Sequence, residues 1–286
     1  MPKALLFPGQ GSQTADMATV VEAHEPELAA LVRGELDRDP FEHAGDGTAY
    51  AQPAIYCASL ARWTAAGRPA TDVMAGHSLG ELTALVAAGA IAPVDGARLA
   101  LERGRLMQAA AEREPGGMVA LLGDADAARD VADRLGLAVA NDNGPTQIVA
   151  AGPLAAVEGA PGAAKQAGIR AIVLPVRGAF HTPAIEPAVG PYREALGAVA
   201  VREPSVPVYS SSSASPFPPA AEAIRAALAA ALTRPVRWQQ TMRAMRADGI
   251  DRFVEVGPGK ALTGMVKRSL DGVEALVLEL PEAAHV

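Results

Sequence analysis

The sequence predicts an α/β protein: a mostly parallel sheet with helices on both faces, interrupted by a smaller βαββαβ unit. Three observations carry that expectation. Short apolar runs alternate with helical stretches along the chain, and the glycine-bearing loops follow the strands. From Met118 to Val176 the pattern changes to strand, helix, two strands, helix, strand, the order of a ferredoxin-like unit inserted into a larger domain. Third, Ala75-Gly76-His77-Ser78-Leu79-Gly80-Glu81 puts a serine between glycines where the apolar run Val73, Met74, Ala75 meets an alanine- and leucine-rich segment. Such a strand–turn–helix elbow belongs to an α/β-hydrolase-like domain. The expected division is 1–115 with 182–286 for the large domain and 116–181 for the inserted one.

The elbow defines the first question about chemistry. A serine on that turn has its hydroxyl pushed out of the fold, with the unpaired N–H groups and positive dipole of a helix N-terminus behind it. That is how a weak nucleophile is presented for acyl transfer.

Composition limits the alternatives. The chain has 286 residues, 50% hydrophobic and 20% charged, enough for one large domain with a smaller insert. A net charge of −7 argues against general nucleic-acid or anionic-membrane affinity, so an acidic partner would need a local basic patch. The single cysteine, Cys57, rules out an internal disulfide and a cysteine zinc site and reads as a small buried residue. No metal site is expected. The N-terminal stretch is broken by proline too early for a signal peptide, and no apolar run approaches the ~18 residues of a membrane span, so a soluble, cytoplasmic protein is expected.

In chain order, Lys3 to Phe7 reads as a buried strand ending at Pro8-Gly9-Gln10-Gly11-Ser12-Gln13. This loop is either a plain strand-to-helix turn or a loop that binds an oxyanion through its backbone; the lysine-serine/threonine ending of a P-loop is missing. Helices follow at Met17 to His24, Glu27 to Leu36 and from Gln52-Pro53. After the elbow, a helix runs from Pro93 to about Arg113 with Leu99, Leu106, Met107 and Ala110 on its apolar face. Arg103 falls on that face. Its guanidinium must meet either a structural carboxylate or one brought by a ligand.

The βαββαβ unit exits at Gly178-Ala179-Phe180-His181. His24, His43 and His285 lie in polar or terminal settings and read as solvated, and strand alternation points His77 away from Ser78. His181 is the best general-base candidate, the other reading being a junction residue that closes a turn. Beyond it, Val206 to Ser210 reads as a strand, Ser210 to Ser213 as a loop without chemistry, and Ala220 to Leu232 and Trp238 to Ala247 as helices. The strand Arg252 to Val256, the helix Lys260 to Ser269 and a strand from Glu274 to Leu280 complete the pattern.

Five blocks together carry a resemblance: Phe7-Pro8-Gly9-Gln10-Gly11-Ser12-Gln13, Gly76-His77-Ser78-Leu79-Gly80-Glu81, Arg103-Gly104-Arg105-Leu106-Met107-Gln108, Gly178-Ala179-Phe180-His181 and Glu255-Val256-Gly257-Pro258-Gly259-Lys260. In order and spacing the chain resembles the malonyl-CoA:acyl-carrier-protein transacylases of fatty-acid and polyketide synthesis. The resemblance implies Ser78 as nucleophile, His181 as base, the N–H groups of Gln10 and Leu79 as oxyanion hole, and Arg103 as holder of the malonyl carboxylate. Phe180 resembles the malonyl-selective pattern; Asn141, Asn143 and His77 match cleft residues. The resemblance also implies malonyl-CoA and an acyl carrier protein as partners, and no cofactor of the enzyme's own. Ala231 departs from the family's usual glutamine ahead of the Pro-Val-x-Trp block, a residue that orients the histidine through its main-chain carbonyl. The segment between Gln13 and Gln52 is shorter than is usual in the family. Alternative readings are an acyl-thioesterase or serine hydrolase using the same serine, a transacylase for another dicarboxylic acyl-CoA, and an idle docking module for carrier proteins.

Overall fold

The computed structural model describes residues 1–280. Among the described residues, ten strands are interspersed with eleven α-helices. The first half contains β1 (Lys3–Phe7), α1 (Met17–His24), α2 (Pro26–Gly34), α3 (Thr48–Ala65), β2 (Val73–Gly76), α4 (Gly80–Ala87) and α5 (Pro93–Arg113). Next come β3 (Gly116–Leu122), α6 (Ala125–Arg134), β4 (Ala138–Gly144), β5 (Gln147–Pro153), α7 (Leu154–Gln166) and β6 (Arg170–Val173). The chain continues through α8 (Glu186–Gly197), β7 (Val208–Ser210), β8 (Ser215–Pro216), α9 (Ala221–Ala230), α10 (Trp238–Ala247), β9 (Arg252–Glu255), α11 (Ala261–Ser269) and β10 (Glu274–Val277).

Two sheets result. The larger has the order β10-β9-β1-β2-β7-β8 and is parallel except for β8. The smaller, β4-β5-β3-β6, is antiparallel, and its βαββαβ connectivity is that of a ferredoxin-like unit. It closes over its own core of Val119, Leu121, Val131, Ile148 and Val157, in the stretch where the inserted domain is expected. The expected end of the large domain, 281–286 with His285, lies outside the described residues.

The strand order reverses at β1, and ligands of such sheets bind beyond the carboxyl ends of the strands at that point. Here the register makes the placement concrete: Phe7 pairs with Gly76, so the loops after β1 and β2 leave the sheet side by side. The amide of His77 donates to Phe7 O at 3.0 Å, carrying the pairing one residue further. This closeness requires glycine. A Cβ on Gly76 would lie 1.8 Å from the carbonyl carbon of Gly80, and one on Gly80 would lie 2.0 Å from Phe7 O.

Three differences from the sequence reading stand out in the fold. Helix α3 begins at Thr48, one turn ahead of Gln52-Pro53, with Pro53 inside it. That first turn is held from outside: Gly104 of α5 packs against the Thr48 and Ala49 backbone, and Gln108 Oε1 accepts from Thr48 N at 3.3 Å. Helix α8 was not anticipated, although Ile185, Val189, Tyr192 and Leu196 recur at helical spacing and are buried. The serine run is also no idle loop. Ser210 and Ser211 hold the buried carboxylate of Glu81, through Ser210 Oγ at 3.0 Å and through Ser211 N at 2.5 Å and Oγ at 2.9 Å.

We expect Gly76→Ala to destabilise the protein by more than about 3 kcal/mol, since backbone faces the new methyl on the far side of the turn. Gly159→Ala, in mid-helix α7 with open space around it, should instead stabilise by ~0.5–1 kcal/mol. Urea midpoints of the two variants check the contrast; similar values would mean that the elbow is not closely packed.

Candidate active site

Ser78 sits on the turn between β2 and α4 with φ of +55°, in the left-handed region that costs a side-chain-bearing residue ~1–3 kcal/mol. The turn breaks strand alternation. His77 therefore does not point away, as alternation predicts, but lines the same cavity as Ser78. Its Nε2 bonds Asn143 Oδ1 at 2.8 Å, and its ring meets Trp238 edge-on at 5.5 Å between centroids.

His181 follows the small sheet and also adopts a positive φ, +61°. Its Nε2 lies 2.8 Å from Ser78 Oγ. Its Nδ1 lies 3.0 Å from Ala231 O and 3.1 Å from Arg234 O. Both are carbonyls and can only accept, so Nδ1 carries the proton and Nε2 offers its lone pair to the serine hydroxyl. Alanine at 231 therefore suffices for this contact, which uses only the main chain. Burial first, then the neighbouring positive Arg103, lowers the His181 pKa to about 3, while its two backbone carbonyl partners oppose the shift. The imidazole is neutral at pH 7.

Arg103, from the middle of α5, is only 4% exposed. Its Nη1 donates to Gln52 Oε1 at 2.7 Å and its Nη2 to Ser78 Oγ at 3.2 Å. Among the described residues no carboxylate lies within ion-pair distance of it. Burial pushes its pKa down; Tyr192 and Glu81 act in the opposite direction without touching it. Of the two partners open to it in the sequence, a structural acid is absent.

A cavity of about 210 Å³ opens over Ser78 and brings together Gln10, Leu79, His77, Arg103, Phe180, His181 and Asn141. Asn143 stands behind His77, outside the wall. The Asn141 Oδ1 atom is buried without a partner among the described residues. Met107, Met118, Leu174 and Val176 supply the apolar surface, and Phe180, 6% exposed, closes one side. The Gln10 and Leu79 amides come from the two loops that leave the sheet together; neither has an acceptor among the described residues. Gln10, Leu174, Val176 and Phe180 also line a wider cleft of about 660 Å³ that reaches Thr48, Gln108 and Arg177. No group of metal-ligating side chains occurs among the described residues, and no described helix is long and apolar enough to cross a membrane.

Sequence reasoning missed Gln52, Tyr192 and the role of Glu81. Gln52 carried a signal, an amide at helical spacing with Ile55, Tyr56 and Ser59, and it is buried in α3. Tyr192 was hidden with its helix; its hydroxyl is buried without a partner among the described residues, and burial raises its pKa to about 12.

A serine on an elbow, a neutral imidazole in reach of it and a buried guanidinium with no ion-pair partner among the described residues fit an α/β protein equipped for acyl transfer. The family model of the acyl transferase domain matches residues 4–283. The chain belongs to that family. It is 38% identical to the malonyl CoA-acyl carrier protein transacylase of Escherichia coli K12, covering 98% of this chain and 96% of that one. It is 37% identical to the polyketide biosynthesis protein ThaF of Burkholderia thailandensis over 93% of this chain, but spans only 24% of ThaF. The crystal structure of an acyl-carrier-protein-S-malonyltransferase from Bartonella henselae superposes with a TM-score of 0.88 at 34% identity, covering 97% of this chain and 95% of that one.

The lowered His181 pKa has a sign that can be measured. Unfolded, an imidazole titrates near ~6.5; folded, His181 resists the proton until about 3, so its contribution to stability is complete above ~6.5 and is lost as pH falls below that value. From pH 7.5 to 5.5, wild type should lose about 1 kcal/mol more stability than His181→Gln, as read from urea midpoints. Parallel losses would place the imidazole in contact with water.

Proposed function

We propose that the chain is an acyl-carrier-protein S-malonyltransferase, moving malonyl from coenzyme A to the phosphopantetheine thiol of an acyl carrier protein through a malonyl-Ser78 intermediate. The carrying observation is the Arg103 guanidinium, buried beside the nucleophile with no acid of its own. A buried cation without a counter-charge is costly, and a substrate bearing a free carboxylate supplies the missing partner at the right place.

The steps follow from the contacts. Ser78 Oγ attacks the thioester carbonyl carbon and its proton passes to His181 Nε2. Negative charge develops on the carbonyl oxygen, which the amides of Gln10 and Leu79 stabilise. The C–S bond breaks, and the coenzyme A sulfur leaves with the proton held on Nε2. In the second half-reaction the carrier thiol gives its proton to Nε2 and its sulfur attacks the Ser78 ester; the serine oxygen leaves and takes the proton back. The Ala231 and Arg234 carbonyls keep the ring oriented and stabilise the transient imidazolium. Asn141 and Phe180 shape the space around the acyl group, and His77, braced by Asn143, forms its floor. The pantetheine arm of either thioester enters by the wider cleft.

An acidic carrier docks on exposed bases near the cleft in this reading. Arg234, Arg237, Arg243, Lys260, Lys267 and Arg268 are exposed, whereas Arg246 is tied to Asp251. Helix α11, which carries Lys267 and Arg268, reaches the end of β4, where Ser269 packs against Gly144.

Intact-protein mass after mixing with malonyl-CoA should show a malonyl adduct that is absent in Ser78→Ala and passes to added carrier protein. Arg103→Ala should lower kcat/KM for malonyl loading by about 100-fold or more, with a much smaller effect on acetyl loading. Rapid loss of the adduct to water without a carrier would instead make the protein a thioesterase. Lys267→Glu with Arg268→Glu should raise KM for the carrier about tenfold while leaving KM for malonyl-CoA in place; an unaltered carrier KM would put the docking face elsewhere.

A further inference from the structure

We propose that Gln52 is a specificity-determining positioning residue: its uncharged amide aims the Arg103 guanidinium into the acyl cavity while leaving that charge for the carboxylate of the substrate. The inference rests on the malonyl-transfer reading and deepens it.

A buried amide is costly unless both of its ends are bonded. Both ends of Gln52 are. Its Oε1 accepts from Arg103 Nη1 at 2.7 Å. Its Nε2 donates to Thr48 Oγ1 at 2.8 Å and approaches Met107 Sδ at 3.3 Å. These partners settle which way the amide faces, because a flipped group would turn its NH2 donors toward the guanidinium, donor against donor. Thr48 lies one turn earlier on α3 and Met107 one turn later than Arg103 on α5, so the packing of these two helices sets the amide. The guanidinium is thereby fixed at two points, Gln52 through Nη1 and Ser78 through Nη2. All three side chains line the same cavity.

The choice of amide over acid matters. A glutamate of the same length would accept the same Arg103 hydrogen bond, but as a buried ion pair. An incoming malonyl carboxylate would then meet an arginine already neutralised and a like charge beside it. Gln52 is the side chain that orients the cation without satisfying it. The other nearby acid, Glu81, is held away from Arg103 by Ser210 and Ser211.

The test compares full-length wild type, Gln52→Glu and Gln52→Met for acylation of Ser78 by malonyl-CoA and by acetyl-CoA, followed as intact-protein mass over time. The malonyl-over-acetyl ratio of kcat/KM should fall about 100-fold in Gln52→Glu and about tenfold in Gln52→Met, in the latter mainly through KM for malonyl-CoA. Equal losses for the two acyl groups, or an unaltered ratio, would overturn the inference and leave Gln52 a packing residue. If Gln52→Glu does not fold, Gln52→Met carries the comparison, since it keeps the length of the side chain in apolar surroundings. A wild type that forms no malonyl adduct at all is a different failure: it overturns the malonyl-transfer reading itself.

Discussion

The parallel pairing of β1 with β2, ending level at Phe7 and Gly76, is the constraint on which the rest of the site depends. Because the two strands stop together, the loop carrying Gln10 and the turn carrying Ser78 and Leu79 emerge at one height above the sheet. Helix α4 can begin at once only because Gly76 and Gly80 have no Cβ to separate strand from helix. Ser78 and the Gln10 and Leu79 N–H groups are thus set by main-chain geometry. Their relative position needs no side-chain adjustment when an acyl group arrives, and such preorganisation is where the largest electrostatic contribution to acyl transfer arises.

Charge is arranged on the same principle, held in place but not neutralised. Arg103 and Glu81 both lie in the protein interior without forming an ion pair, the arginine held by an amide and a hydroxyl and the glutamate by two serines. The arginine retains interaction energy to give. For Arg103 the open direction is the cavity, and its positive field also helps keep His181 unprotonated. In the proposed reaction one buried cation therefore serves both halves of the site, attracting an anionic acyl group and keeping the neighbouring His181 unprotonated.

Local rules made much of this legible. The alternation of strands and helices, the elbow, and the position of Arg103 on the apolar face of α5 are matters of period and of glycine placement, which act within a few residues. What escaped depends on contacts between distant segments. The first turn of α3 exists because α5 packs on it, against the local bias of Pro53. Ser210 and Ser211 acquire a purpose only when β7 lies beside β2 and Glu81 comes within reach. Alternation sent His77 the wrong way because a positive φ at Ser78 interrupts the strand whose period was being extended. The surroundings of a serine in a run of four, or of one amide on a helix, are set by distant neighbours: Ser211 and Glu81 are separated by 130 positions and Gln52 and Arg103 by 51.

The segment from Ala231 to Val236 ties the two sheets to the chemistry. Ala231 and Arg234 turn their carbonyls toward His181, and two residues further on Val236 bonds with β4: its amide donates to Ala140 O at 2.8 Å, and its carbonyl accepts from Asp142 N at 2.8 Å. Strand β4 is in turn anchored by Asp142, which accepts from Arg129 of α6 and Gln240 of α10. The orientation of the His181 ring and the placement of Asn141 in the cavity wall are therefore consequences of one short stretch of backbone. A shift of the small sheet on the large one would move both together. Because the small sheet also delivers His181 from its last strand, its docking is part of the active-site geometry, and a rigid hydrogen-bonded seam at Val236 is the physical means by which the two sheets hold a single arrangement.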